Sequence, residues 1–306
     1  MTQRGNERPR MKKETRALGI LLLTAAIWGF AFTAQKEGAA HMPALAFGAW
    51  RHLLGAAALF LFSLPGKRKR GEALLDKRAV LPGAAIGTVL FLASTLQQLG
   101  VERIGPGKCG FLTALYVVLV PLLGALFFHK RTAAGTWASL GLAVVALYLL
   151  CATGESLIPE TGDLLALAGA VFWALHILFT DRLSPGVSAF DLCATQFLWC
   201  GLMALAGTLL FENAGVSDAL TIWPQLAYVS FLSTAVGYTL QTIGQRDAKP
   251  AHAAIVLSME SVFSVLGGAL LLGERMSWRG YLGCALMLAA VILSQLSSMK
   301  KGAADV

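Results

Sequence analysis

The chain has 306 residues, of which 56% are hydrophobic and 14% are charged, and its mean hydropathy is +0.66. Soluble domains average about 45–50% apolar and about 25% charged residues, so this composition excludes an ordinary soluble protein. The formal charge of +8 does not predict a nucleic-acid partner, because the basic residues lie between apolar runs.

Ten apolar segments follow one another along the chain, each close to the length that a helix needs to cross a bilayer. They cover residues 17–34, 43–64, 79–99, 108–128, 134–152, 163–180, 188–211, 221–243, 251–272 and 278–296. The connections between them are short. We therefore predict an all-α membrane protein with ten transmembrane helices and a lipid bilayer as its surroundings.

The lysines and arginines predict the orientation of these helices. If residues 1–16 form a basic cytoplasmic tail, 19 of the 25 basic residues fall on the cytoplasmic side, five fall in outer loops, and Arg51 lies within a span. Cytoplasmic loops are enriched in Lys and Arg in this way. The expectation is a multi-pass protein of the cell inner membrane with both termini in the cytoplasm, the second of them in a tail of residues 298–306.

The chain also repeats itself. The segment from Gly100 to Pro106 matches the segment from Gly244 to Pro250 at an offset of 144 residues, and Trp28 matches Trp173 at an offset of 145. Five spans per copy is an odd number, so the second copy must enter the membrane upside down. We predict two inverted five-helix repeats, residues 17–152 and 163–297, around a central cavity of the kind that transporters use.

Three motifs resemble those of one transporter superfamily. Ala26-Ile27-Trp28-Gly29 resembles the first span of the drug/metabolite transporter superfamily, EamA-like branch. The segment from Phe111 to Pro121 looks like its fourth-span motif, and the segment from Leu271 to Arg275, followed by Trp278-Arg279-Gly280, resembles its last linker. The resemblance implies a ten-helix bundle that exports amino acids, metabolites or toxic compounds.

Arg51 and Glu260 are candidates for the substrate or proton path. Each lies about nine residues into its span, in opposite halves of the chain. An ionisable group near the middle of a bilayer is costly, and such groups usually mark a substrate or ion pathway. The alternative is a structural ion pair between them.

Five further residues are candidates for the same path: Trp28, Tyr116, Trp173, His176 and Gln196. The two tryptophans are expected at mid-depth rather than in the interfacial aromatic belts. Tyr116 is the repeat counterpart of Glu260. Packing is the alternative for the tryptophans, and we favour it over a proton relay for His176.

These observations predict a secondary transporter that exports a small metabolite, such as an amino acid, by alternating access. An organic-phosphate or nucleotide-sugar carrier is one alternative, although only Arg51 offers a deep cation. A membrane-embedded enzyme is another, but no DDxxD or GxSG-like motif occurs, so we expect no enzyme activity. A passive channel is a third.

We expect no cofactor and no bound metal, because no Cys/His cluster has metal-ligand spacing. Proton coupling would suit the buried ionisable groups, and neither the substrate nor the oligomeric state follows from the sequence.

Overall fold

The computed structural model describes residues 4–104, 106–129, 134–151, 160–271 and 278–304, and these residues form helices joined by short turns, with no strand among them. Seven helical stretches are long and apolar enough to span a membrane. They are Lys13–Ala39, Ala44–Arg70, Lys77–Arg103, Cys109–Phe128, Thr161–Leu183, Ala189–Phe211 and Pro250–Leu271. The chain is therefore a multi-pass membrane protein.

The helices are numbered in chain order. They are α1 (Arg4–Ala39), α2 (Ala44–Arg70), α3 (Val80–Arg103), α4 (Pro106–Ala114), α5 (Tyr116–Phe128), α6 (Ala134–Cys151), α7 (Thr161–Leu183), α8 (Ala189–Phe211), α9 (Val216–Thr221), α10 (Trp223–Ala227), α11 (Thr239–Gln245), α12 (Pro250–Leu257), α13 (Glu260–Leu271) and α14 (Trp278–Ala304). A 3₁₀ turn, Lys77–Ala79, precedes α3, and a π-helix, Tyr228–Tyr238, joins α10 to α11. Helices α1 and α14 extend through most of the two predicted tails.

Three of the ten predicted spans are not among the seven long apolar helices. The apolar parts of α6 and α14 are shorter, Ala134–Leu149 and Tyr281–Leu293. The predicted span 221–243 is divided between α10, the π-helix and α11. The count of ten spans stays a prediction. Residues 152–159, which fall mostly in the predicted connection between the fifth and sixth spans, and residues 272–277, which include most of the predicted linker motif, lie outside the described residues.

Two predicted spans are broken in the middle. Residues 108–128 divide into α4 and α5 at Leu115, and residues 251–272 divide into α12 and α13 at Ser258 and Met259. At each break an i→i−3 bond replaces the α-helical one: the Leu115 amide donates to the Leu112 carbonyl at 3.3 Å, and the Met259 amide to the Val256 carbonyl at 3.2 Å. Leu115 and Met259 are 144 residues apart, which is the offset of the sequence repeat.

The two interrupted spans differ in their local features. In α5, Pro121 has no amide hydrogen for the carbonyl of Val117, so a proline kink is expected within α5, beyond the break at Leu115. In the second pair, the hydroxyl of Ser258 donates to the carbonyl of Ile255 at 2.7 Å. Serine hydroxyls that bond to a preceding turn of their own helix often bend it.

Close helix crossings surround the centre of the molecule. Helix α3 packs against α7 and α8, α2 runs along α8, and α6 runs along α14. Two glycines of α3 allow close approach to α8: a Cβ at Gly83 would lie 2.5 Å from Cβ of Thr195, and a Cβ at Gly87 would lie 2.6 Å from the carbonyl oxygen of Gln196. Small residues let membrane helices approach closely in this way.

Candidate functional site

A central cavity lies where both halves of the chain meet. Five residues selected from the sequence line it: Trp28, Arg51, Tyr116, Trp173 and Glu260. Further polar or aromatic lining residues are Phe32, Gln35, Gln97, Thr113, Ser233, Tyr238 and Gln241. The space between these side chains is narrow, with room for only a few water molecules. A substrate larger than that requires the lining to move.

Arg51 enters the cavity from α2 and is buried. Its Nε donates to Oγ1 of Thr234 at 2.8 Å, and its two terminal nitrogens donate to Oε1 of Gln35 and Oγ of Ser233, each at 3.3 Å. All three acceptors are neutral. Within the described part of the chain, no carboxylate lies within ion-pair distance of this guanidinium. The site therefore contains a cation that an anionic ligand group can neutralise.

Glu260 is the first residue of α13 and is also buried. Its carboxyl group interacts with the neighbouring hydroxyl of Tyr116, the first residue of α5. Neither Oε1 of Glu260 nor that hydroxyl has any other partner among the described residues. Buried polar atoms normally have a hydrogen-bond partner. Apart from each other, these two groups at the helix breaks have no partner among the described residues, so both retain hydrogen-bonding capacity for a ligand.

Three aromatic rings form one wall of the cavity. The ring centroids of Trp28 and Trp173, the two repeat-related tryptophans, lie 6.5 Å apart, and the Tyr238 ring lies 4.6 Å from the first and 6.2 Å from the second. Nε1 of Trp28 donates to the carbonyl of Ser233 at 3.0 Å, whereas Nε1 of Trp173 has no partner among the described residues. The wall offers both apolar surface and one free donor.

Comparison with known proteins gives the family of this chain. The EamA-like transporter family matches residues 15–152 and again residues 160–296. The chain belongs to the EamA-like transporter family. It is therefore similar to transporters along nearly its whole length, and the sequence resemblance is confirmed.

Several relatives of this EamA-like protein carry functional names. An "Uncharacterized transporter" of Archaeoglobus fulgidus is 32% identical over 285 residues, 90% of this chain and 84% of that one. A "Probable amino-acid metabolite efflux pump" of Salmonella typhimurium is 24% identical, covering 90% of this chain and 93% of that one. A "Threonine/homoserine exporter" of Escherichia coli is 28% identical over 188 residues, which cover 59% of this chain and 61% of that one.

A solved crystal structure has the same fold. It superposes with a TM-score of 0.76 at 18% identity, covering 94% of this chain and 98% of that chain. Together with the family, these relatives make the EamA-like protein a small-molecule transporter.

His176 and Gln196, which were also candidates for the path, do not line the cavity of this EamA-like transporter. Their side chains bond to each other at 3.1 Å, and the Gln196 amide also donates to Sγ of Cys193 at 3.4 Å. The His176 ring packs edge-on against Trp173 at 5.8 Å and Tyr238 at 5.6 Å. The pair therefore packs against the aromatic wall and does not contribute to the cavity lining.

Eight polar or aromatic residues that line or support the cavity did not emerge from the sequence: Phe32, Gln35, Gln97, Thr113, Ser233, Thr234, Tyr238 and Gln241. One signal was available for two of them. Gln97 and Gln241 are 144 residues apart, so they occupy equivalent places in the repeat. The neutral residues around Arg51 have no such signal, because their importance depends on which helix faces α2.

Proposed function

We propose that this protein is a ten-span secondary transporter that exports a small amino acid or amino-acid metabolite by alternating access. The cavity carries the proposal: a guanidinium from α2 and a carboxyl group from α13 line it, and neither has a charged partner among the described residues. An α-amino acid carries one carboxylate and one ammonium group. Its two charges complement this pair, and charge-assisted hydrogen bonds are the strong ones.

The proposed architecture is two inverted five-helix repeats, residues 17–152 and 163–297, with both tails in the cytoplasm. Several observations support it. The family matches the chain twice, and the two helix breaks are separated by the offset of the sequence repeat. The second spans of the two copies, α2 and α8, pack against each other, and so do the fifth spans, α6 and α14. Transporters built from inverted repeats bind substrate near the midplane, often at interrupted helices. In this chain both interruptions lie at the cavity.

Each residue then has a defined role. Arg51 binds the substrate carboxylate, and Glu260 binds the ammonium group or, in exchange for it, a proton. Tyr116 hydrogen-bonds substrate from the opposite break, while Trp28 and Trp173 cover its apolar part. The narrow space between these side chains is consistent with a state in which the path is closed. Outward and inward openings would widen it in turn.

An amino-acid substrate fits better than an organic phosphate. A phosphate group is usually bound by several cationic side chains. Among the described lining residues Arg51 is the one Lys or Arg. The names of the Salmonella and Escherichia coli relatives favour amino-acid export as well.

A resistance screen tests this proposal. Cells that overproduce the protein should grow at higher concentrations of toxic amino acids, beginning with threonine and homoserine, than cells with an empty vector. Arg51→Ala should abolish the gain at equal protein level, whereas Arg103→Ala, at an exposed arginine, should keep it. A gain that survives Arg51→Ala, or no gain with any amino acid, would contradict the proposal.

A further inference from the structure

The segment Tyr228–Tyr238 is a π-helix of 11 residues inside an otherwise α-helical stretch. Such i→i+5 winding is rare, is mostly limited to a single turn, and is frequent at functional sites. Here it faces the cavity, to which it contributes Ser233 and Tyr238. It also belongs to the half of the chain opposite to α1 and α2.

Two neighbouring residues of this π-helix hold both key side chains of the first half. The hydroxyls of Ser233 and Thr234 accept hydrogen bonds from the Arg51 guanidinium, at 3.3 Å and 2.8 Å. The carbonyl of Ser233 accepts the indole hydrogen of Trp28 at 3.0 Å. One short stretch of backbone therefore orients a cation and an aromatic ring at once.

Glycines on both sides allow this close contact. A Cβ added at Gly55, one turn after Arg51 on α2, would lie 2.8 Å from Cγ2 of Thr234 and 3.2 Å from the carbonyl oxygen of Ser230. A Cβ at Gly237, within the π-helix, would lie 2.6 Å from Nε1 of Trp28. A side chain at either position would force the π-helix away from its partners.

We propose that the π-helix Tyr228–Tyr238 positions Arg51 and Trp28 for substrate binding, with Ser233 and Thr234 as positioning residues. The step from position to substrate rests on the proposed function, in which Arg51 binds the substrate carboxylate. The positioning of the guanidinium itself does not rest on it. An α-helix has fewer residues per turn than a π-helix. In a continuous α-helix the hydroxyls of Ser233 and Thr234 would therefore no longer both face Arg51.

Chemical labelling tests the positioning directly. Phenylglyoxal modifies arginine side chains, and the modified Arg51 peptide of the purified full-length protein can be quantified by mass spectrometry over time. Thr234→Val keeps the size of the side chain but removes the oxygen, and we expect Arg51 to react about fivefold faster, the effect of losing one hydrogen bond. Thr234→Ser, which keeps the hydroxyl, should restore the slow rate.

The matched control is Thr208→Val. Thr208 is also buried, but its hydroxyl bonds within its own helix, to the carbonyl of Ala204 at 3.0 Å. This variant should label at the wild-type rate. Gly55→Ala should accelerate labelling as Thr234→Val does, because it displaces the same segment. Equal Arg51 labelling in wild type, Thr234→Val and Gly55→Ala would overturn the proposal.

A transport assay separates the inference from the proposed function. Thr234→Val should raise KM about fivefold for an amino acid but leave KM for the corresponding amino-acid amide, which has no carboxylate, unchanged. Faster labelling without any amino-acid transport would leave the positioning role standing and remove the proposed function. Unchanged labelling together with intact amino-acid transport would remove the positioning role and leave the proposed function standing.

Discussion

Gly29 lies where α1 crosses α13, directly against the residue that supplies the cavity carboxyl group. A Cβ at Gly29 would be 2.6 Å from the carbonyl oxygen of Glu260 and 2.3 Å from Cβ of Phe263. Because backbone cannot move aside as a flexible side chain can, Gly29→Ala should destabilise the protein by about 1–3 kcal/mol. Thermal unfolding in detergent measures this effect.

Gly19→Ala provides the control for that substitution. Gly19 lies on the same helix, and a Cβ there would meet nothing within 4 Å. Alanine has the higher helix propensity, so this variant should be as stable as wild type or slightly more so. Equal unfolding temperatures for the two variants would contradict the close crossing of α1 and α13.

Glu260→Gln tests whether the carboxyl group carries the proton. The amide keeps the size and polarity of the side chain but cannot load and release a proton. We expect export driven by a proton gradient to be lost in proteoliposomes, while substrate binding by the purified protein stays measurable. Full export by a well-folded Glu260→Gln protein would remove Glu260 from the coupling mechanism.

At the scale of residues, the sequence was informative about charge and uninformative about neutral polar groups. Arg51 and Glu260 could be selected because ionisable residues are rare in apolar spans, and Trp28 and Trp173 because the repeat relates them. Gln35 and Thr234 could not, since such residues also occur throughout membrane helices as packing residues. Whether they contribute to a site depends on which face of each helix is turned toward the cavity. The sequence of an apolar segment with few charges does not specify that face.

At the scale of elements, the sequence located most helices but not their interruptions. Hydropathy is continuous across Leu115 and across Ser258, so each predicted span reads as one helix. Pro121 indicates a kink within α5 but does not mark the break at Leu115. No proline lies within α13, where the bend accompanies a serine hydroxyl bonded to its own helix. No residue pattern in the sequence indicates the π-helix either.

A buried ion pair connects α2 to α8. The ammonium group of Lys67, in the last turn of α2, pairs with the carboxylate of Asp191, in the first turn of α8, and both side chains are 7% exposed. Removing one partner of a buried pair leaves an uncompensated charge, which costs about 3–5 kcal/mol. Lys67→Met should therefore lower the unfolding temperature clearly.

A double-mutant cycle checks the interaction between these two elements. Adding Asp191→Leu to Lys67→Met should recover most of the lost stability, because no unpaired charge remains. Arg70→Ala is the comparison, since Arg70 and its partner Glu72 are 61% and 50% exposed and such pairs contribute little. Additive losses from Lys67→Met and Asp191→Leu would show that the pair does not couple α2 to α8.

At the scale of the whole molecule, the distribution of Lys and Arg predicts which side of the membrane each loop and terminus occupies. From ten spans and an inverted repeat we expect Val306 in the cytoplasm and Glu155 on the outer side of the inner membrane. Reporter fusions at these two positions should give a cytoplasmic and a periplasmic signal, respectively. Two signals on the same side would contradict both the number of spans and the inversion of the second repeat.

The most direct test of the account is transport by the purified protein in proteoliposomes, with a panel of labelled amino acids and their amides. We predict saturable transport of at least one amino acid, much slower transport of its amide, and loss of amino-acid transport in Arg51→Ala. Transport that Arg51→Ala leaves unchanged, or that treats acid and amide alike, would contradict a carboxylate site at Arg51.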